Sequence, residues 1–164
     1  MKIGEVAAHQ VVTIGRNASV VEAARLMKEH HVGHLVLVAE KESERVPVGL
    51  VTERDLVVSV LAEGAQNVAA IRVGEIAPKA PLSVDSDEEV EEVARKMLAL
   101  GLRRVPVVNA LGALVGLATY EDLVAWMTGE LADFARLASG ARSEQSERSR
   151  ERGLGPSGTR LVER

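Results

Sequence analysis

The chain has 164 residues, enough for one ordinary domain or for two small units sharing a core. Apolar residues make up 46% of it, aromatics are reduced to Tyr120, Trp126 and Phe134, and the net charge is -4, so neither a base-stacking platform nor a basic phosphate-backbone surface is available and no nucleic-acid partner is expected. Without Cys there are no disulfides and no thiolate metal sites; no apolar run reaches a membrane span and the start, MKIGEVAAHQ, has no signal-peptide core, so the expected location is cytoplasmic.

The first segment already introduces a repeat. Ile3-Gly4-Glu5-Val6-Ala7 returns as Val73-Gly74-Glu75-Ile76-Ala77, an offset of 70 that also pairs Thr13-Ile14 with Ser83-Val84, Met27 with Met97 and Leu37-Val38 with Val107-Val108. The offset then falls to 67, pairing Gly49 with Gly116, Thr52 with Thr119 and Asp55 with Asp122. The three residues missing from the second copy correspond to the charged stretch 40–45, where loop length costs little. A duplicated unit of about 65 residues accounts for the pattern.

In the first unit Val11 to Ile14 reads as a short strand. Ser19-x-x-Glu22 is a capping box opening a helix that runs to Glu29 or His30, with Val20, Ala23, Ala24 and Met27 on its buried face. Gly33 ends the helical neighbourhood, and His34 to Ala39 and Val46 to Val51 form a hairpin. A second helix follows over Arg54 to Ala62. The second unit repeats this order: a short strand, a helix over Asp87 to Leu100 with an acidic first turn, strands Arg103 to Val108 and Ala113 to Ala118 joined through Asn109 and Gly112, and a last helix from Tyr120. Beyond Gly129 an apolar stripe of Leu131, Phe134 and Leu137 is expected to pack on the protein's own core, with a dimer contact as the second reading. From Ser139 the chain is rich in Ser, Gly, Arg and Glu and reads as a flexible tail. The boundaries are therefore 1–66, 67–128, a helical extension 129–138 and a polar tail 139–164.

The segments Gly49-Leu50-Val51-Thr52-Glu53-Arg54-Asp55 and Gly116-Leu117-Ala118-Thr119-Tyr120-Glu121-Asp122 share one pattern: Gly, two apolar residues, Thr, two variable residues, Asp. A strand that delivers Thr and Asp to a helix start gathers amides, a hydroxyl and a carboxylate in one place, where a phosphorylated sugar could sit. Thr-x-x-Asp is also a capping-box variant, and both readings apply to each copy.

The doubled order of elements, the strand Arg104-Val105-Pro106-Val107-Val108 and the two Gly-apolar-apolar-Thr-x-x-Asp segments resemble a tandem pair of CBS domains, the repeat named after cystathionine beta-synthase, over residues 1 to 128. The resemblance implies an α+β fold of two β-α-β-β-α repeats about a pseudo-twofold axis, sheets facing each other and helices outside. It implies a regulatory, signal-transducing module rather than an enzyme, whose two clefts take an adenosine compound: AMP, ADP, ATP, S-adenosylmethionine or NAD. No cofactor is required, a homodimer is expected, and a regulated protein partner is unidentified. Carried over by position, the ribose-holding role falls on Asp55 and Asp122, with Thr52 and Thr119 beside them.

Thr13 and Ser83 match the family's early hydroxyl position, with a local backbone bond as the competing role. Arg104 or Arg103 approaches phosphate, since strand alternation sends only one of them to a given face. Arg54 favours phosphate at the first cleft where the second has Glu121, so the first cleft is expected to be the better site. The first unit has Leu35-Val36-Leu37 where the second has Val105-Pro106-Val107. The alternative function is a structural dimerisation module with vestigial clefts. His30, His31 and His34 suggest a metal cluster at first sight, but no completing ligand set is present and helix-end histidines are the preferred reading. No metal and no catalytic residue is assigned.

Overall fold

The computed structural model describes residues 1–41, 43–77 and 83–153, with side chains as far as residue 139. Two compact units divide the chain, Met1–Val124 and Ala125–Arg164. In the first, a short helix α1 (Ile3–Val6) precedes β1 (Thr13–Gly15), α2 (Val20–His30), β2 (His34–Lys41), β3 (Glu44–Thr52) and α3 (Glu53–Leu56). A π-helical segment (Val57–Ala62) and a 3-10 turn (Val68–Ala70) lead to α4 (Val73–Ile76). Then β4 (Val84–Asp85), α5 (Val90–Leu100), β5 (Arg104–Val108) and β6 (Leu114–Thr119) repeat the scheme, and α6 (Tyr120–Gly153) closes it. Each repeat has a three-stranded sheet, ordered β1-β2-β3 and β4-β5-β6. The outer β1 and β4 run parallel to the central strand, and the hairpin strands run antiparallel to it. This is the expected α+β pair of β-α-β-β-α repeats, and β3 lies against β6 where the halves meet.

Local chemistry sets most of the boundaries. Ser19 Oγ accepts from the Glu22 amide at 3.1 Å and starts α2, whose residues Val20, Ala23 and Met27 are buried. The helix ends at His30, as expected, and His31 caps it in the left-handed region at φ 53°, its amide closing on the Met27 carbonyl. The equivalent residue in the second repeat is Gly101, at φ 64°. Gly33 serves another purpose: a Cβ there would lie 3.1 Å from the Glu53 carboxylate. In the β5–β6 turn, Gly112 sits at φ 78° and Asn109 Oδ1 accepts from the Leu111 and Ala113 amides at 3.0 Å.

Four expectations change. The second helix of repeat 1 is α-wound only over Glu53–Leu56, then π-wound, where Val57, Val58 and Val60 put three β-branched side chains into four positions and crowd an α-turn. α5 begins at Val90, not Asp87, because Asp85 and Glu88 close a turn first: the Glu88 amide donates to the Asp85 carbonyl at 3.0 Å and the Asp87 amide to Asp85 Oδ1 at 2.9 Å. α6 continues past Ser139 to Gly153, since Ala, Arg, Glu and Gln favour helix and the first Pro comes only at 156; residues 154–164 of the expected tail lie outside the described residues. Leu131, Phe134 and Leu137 are 66%, 67% and 71% exposed instead of packed on a core. As far as Gly153 their unit is a single helix, and one helix offers no second layer of its own.

The two repeats exchange their leading segments. α1 joins repeat 2: the Ile3 and Gly4 amides donate to the Glu88 and Ser86 carbonyls, and Ala8 pairs with Leu117 of β6. α4 joins repeat 1: the Val73 and Gly74 amides donate to the Ala18 and Arg16 carbonyls, and Val73 enters the core formed by Ile14, Ala23, Met27, Leu35, Leu37 and Val51. Ile3 and Val73 are both fully buried. A Cβ on Gly74 would meet the Arg16 carbonyl at 3.0 Å, and one on Gly4 would meet Ser86 at 3.1 Å, so a side chain at either docking turn makes its neighbour give way. The expected cuts at 66 and 67 therefore divide sequence rather than cores.

Candidate ligand site

Strand alternation sorts each sheet into two faces. In repeat 1, Ile14, Leu35, Leu37 and Val51 face the helices and are buried with Ala23 and Met27. The opposite face carries Thr13, in register with Val36, and His34, in register with Thr52. In repeat 2, Arg104 is in register with Thr119 on the corresponding face, while Val105 and Val107 are fully buried on the other. Arg103 is exposed, so alternation selects Arg104 as the inward arginine. Ser83 precedes β4 and is exposed.

The two Thr-x-x-Asp segments form the same latch. Asp55 Oδ2 accepts from the Thr52 amide at 2.8 Å and the Thr52 hydroxyl at 2.7 Å, while the Asp55 amide donates to Thr52 Oγ1 at 3.3 Å. At the second latch the corresponding distances are 2.9, 2.7 and 3.2 Å between Thr119 and Asp122. All four residues are half-buried. Both Thr bonds converge on Oδ2, which leaves Oδ1 of each carboxylate for a further donor. Cap and ligand-facing carboxylate are thus compatible in one geometry.

The surroundings of the two latches differ. Near the first, Arg54 is exposed and the Glu53 carboxylate lies against Gly33. At the second, Glu121 is held below the usual carboxylate range, first by a hydrogen bond from its own backbone amide and further by Arg104 and Arg103. Arg104 is half-buried, and its Nε is buried with no hydrogen-bond partner. Thr13 lies farther along the sheet, beside a hollow of about 510 Å³ with Gln10, Val12 and His30; its hydroxyl accepts a long 3.5 Å contact from Arg45.

His34, the first residue of the expected strand, belongs to this face. Burial lowers its pKa below 6.5, the Arg104 charge lowers it further, and Glu121 and Glu53 oppose them. His34 therefore senses charged groups from both repeats. The offset of 70 that pairs His34 with Arg104 is the sequence signal for that position. Among the described residues no three His, Asp or Glu side chains converge as metal ligands, and no helix is long and apolar enough to cross a membrane.

Comparison with known proteins places this geometry. The family model for the CBS domain matches residues 3–62 and 73–129. MK0525, an uncharacterized protein of Methanopyrus kandleri, is 36% identical over 124 residues, covering 76% of this chain. The aligned region spans 61% of that relative's length. The CBS domain pair of MJ0100, solved with 5-methylthioadenosine and S-adenosylmethionine, superposes with a TM-score of 0.65 at 29% identity, covering 79% of this chain and 98% of that one. PAE2072 of Pyrobaculum aerophilum, solved with AMP, gives a TM-score of 0.65 at 29% identity, covering 74% and 89%. With both repeats matched, and the sheets and exchanged segments built twice over, this chain belongs to the CBS domain family as a tandem pair.

Proposed function

We propose that the protein is a regulatory module that binds an adenosine compound at its Thr-Asp latches and is not an enzyme. The observation that carries this reading is the duplicated latch: a half-buried carboxylate fixed through Oδ2 with Oδ1 left for a donor. A ribose diol supplies two such donors, and charge-assisted bonds to carboxylate are among the strong ones. The adenosine ligands of MJ0100 and PAE2072 support the same class here, with AMP, ADP, ATP, S-adenosylmethionine and NAD as its members. No catalytic cofactor enters the reading.

In this reading Asp55 and Asp122 hold ribose, and Thr52 and Thr119 set their orientation. Arg54 and Arg104 face phosphate, and Thr13 and Ser83 border the base. The first cleft is the stronger site, because Glu121 keeps a negative charge at the second. The module works in the cytoplasm as a homodimer, and ligand changes the packing of repeats or copies felt by an unidentified protein partner. Such a shift requires different affinities for the two arrangements.

One observation favours a second reading, a structural dimerisation module: both latches are complete helix caps without any ligand. A thermal-shift panel of the five compounds separates the two. A sensor at about 100 times the dissociation constant gains roughly 2.7 kcal/mol, a rise of roughly 5–10 °C; a structural module shows no shift with any compound.

A further inference from the structure

His34 opens β2 and Arg104 opens β5, and the offset of 70 makes them one position of the repeat. Each is in register with the threonine of its own latch, His34 with Thr52 and Arg104 with Thr119, and each is half-buried. β3 lies against β6, and the Arg104 charge is felt at His34. Arg104 keeps its charge at every pH of interest, and its Nε is buried without a hydrogen-bond partner. The charged groups that face His34 come from three elements: Arg104 of β5, Glu121 in the first turn of α6 and Glu53 of α3. The imidazole is the one group of these four whose ordinary titration falls between pH 5 and 8.

We propose that His34 is a specificity-determining residue of the adenosine site, taking up a proton when a phosphate-bearing adenosine compound binds against Arg104 and so completing a cation pair drawn from both repeats. The inference rests on the reading that the latches hold an adenosine compound. A phosphate group brings about 1.5–2 negative charges at pH 7, into a space where Glu53 and Glu121 already outnumber Arg104. In the free protein burial, and then Arg104, hold the imidazole below its ordinary value, so it is neutral at pH 7. An arriving anion reverses that balance, because an opposite charge nearby favours the charged form. The coupling is reciprocal: if phosphate raises the affinity of His34 for a proton, the proton raises the affinity of the site for phosphate by the same factor. An adenosine compound with an uncharged or cationic group in place of phosphate supplies no such pull. His34 thereby makes the choice among adenosine compounds depend on pH, a property that Arg104 at the same position of repeat 2 does not have.

Calorimetric titration of AMP and of adenosine into wild type, His34→Gln and His34→Arg, across pH 6 to 8, tests this, with the fold of each variant checked by its melt. The phosphate of AMP itself titrates near pH 6, so the readout is the ratio of AMP affinities, wild type over His34→Gln, in which that contribution cancels. The ratio is expected to rise by about three- to tenfold from pH 8 to pH 6. At pH 7 wild type is expected to take up more protons per AMP than His34→Gln, read from the dependence of the heat on the ionisation enthalpy of the buffer. His34→Arg, charged throughout, is expected to bind AMP more tightly than wild type at pH 8 and to lose the extra proton. Adenosine is expected to bind all three with the same affinity across the range. A flat ratio, or a proton uptake unchanged in His34→Gln, overturns the inference and leaves the adenosine site standing. The same pH dependence for adenosine as for AMP also overturns it. Failure of both AMP and adenosine to bind wild type overturns the proposed function, and this inference with it.

Discussion

The two repeats share a backbone scheme and differ in the charges placed on it. Repeat 1 opens its central strand with His34 and carries Arg54 behind its latch threonine; repeat 2 has Arg104 and Glu121 at those positions. The latches themselves agree within 0.1 Å in each of their three hydrogen bonds. Duplication has kept the latch that fixes a carboxylate and changed the charges placed beside it. The two latches therefore sit in unequal charge surroundings, although their frames are alike.

The largest expected effects come from the exchanged segments, which sharpen the comparison at the level of the frame. Ile3→Ala removes a fully buried side chain from repeat 2 and is expected to cost about 2–5 kcal/mol in urea unfolding. Val73→Ala empties the matching place in repeat 1 and, with fewer methyl groups lost, is expected to cost about 1–3 kcal/mol. Gly74→Ala forces a methyl group against the Arg16 carbonyl, with an expected cost of about 1–3 kcal/mol. Equal midpoints for Gly74→Ala and wild type would show that the docking turn gives way to a methyl group without cost.

Helix starts come next. Ser19→Ala deletes the α2 cap and is expected to lose about 0.5–2 kcal/mol. The equivalent residue, Glu89, makes no side-chain cap bond and instead pairs with Lys2 at 2.7 Å at the surface. Glu89→Ala is expected to have a smaller effect that fades as salt is raised. A salt-insensitive loss as large as that of Ser19→Ala would show that the two helices start alike.

The smallest effect is a pH dependence at His34. Its folded pKa is lowered, mainly by burial, so the folded state binds its proton less readily than the unfolded chain does. Its contribution is present above pH 6.5, the unfolded value, and is lost as pH falls through the folded value. His34→Gln is expected to flatten that acid limb in thermal melts across pH 5 to 7; an unchanged slope would remove His34 from the inner face.

Much of this was legible in the residues. The offset of 70 and the Thr-x-x-Asp copies defined both repeats, both latches and most strands, because capping, alternation and turn chemistry act over a few neighbouring positions. The exchange of α1 and α4 was not legible, since Ile3 finds Glu88 and Val73 finds Ala18 through contacts that leave no periodic trace. His34 was placed at the start of its strand, but its electrostatic neighbour was not legible: its neighbours in sequence are His30 and His31, whereas the charge that acts on it is Arg104, from the other repeat. The stripe at Leu131, Phe134 and Leu137 had the spacing of a buried face, and spacing says only that a face exists, not whether the same chain covers it.

Isothermal titration of AMP into wild type, Asp55→Ala and Asp122→Ala tests the central claim most directly, with folding of each variant confirmed by its melt. Loss of a charge-assisted bond to ribose is expected to weaken the Asp55→Ala complex by about 1.5–3 kcal/mol, roughly 10- to 150-fold, while Asp122→Ala keeps the high-affinity event. Wild-type affinity in Asp55→Ala together with loss in Asp122→Ala would reverse the order of the clefts, and unchanged binding in both would take the ligand away from the latches altogether.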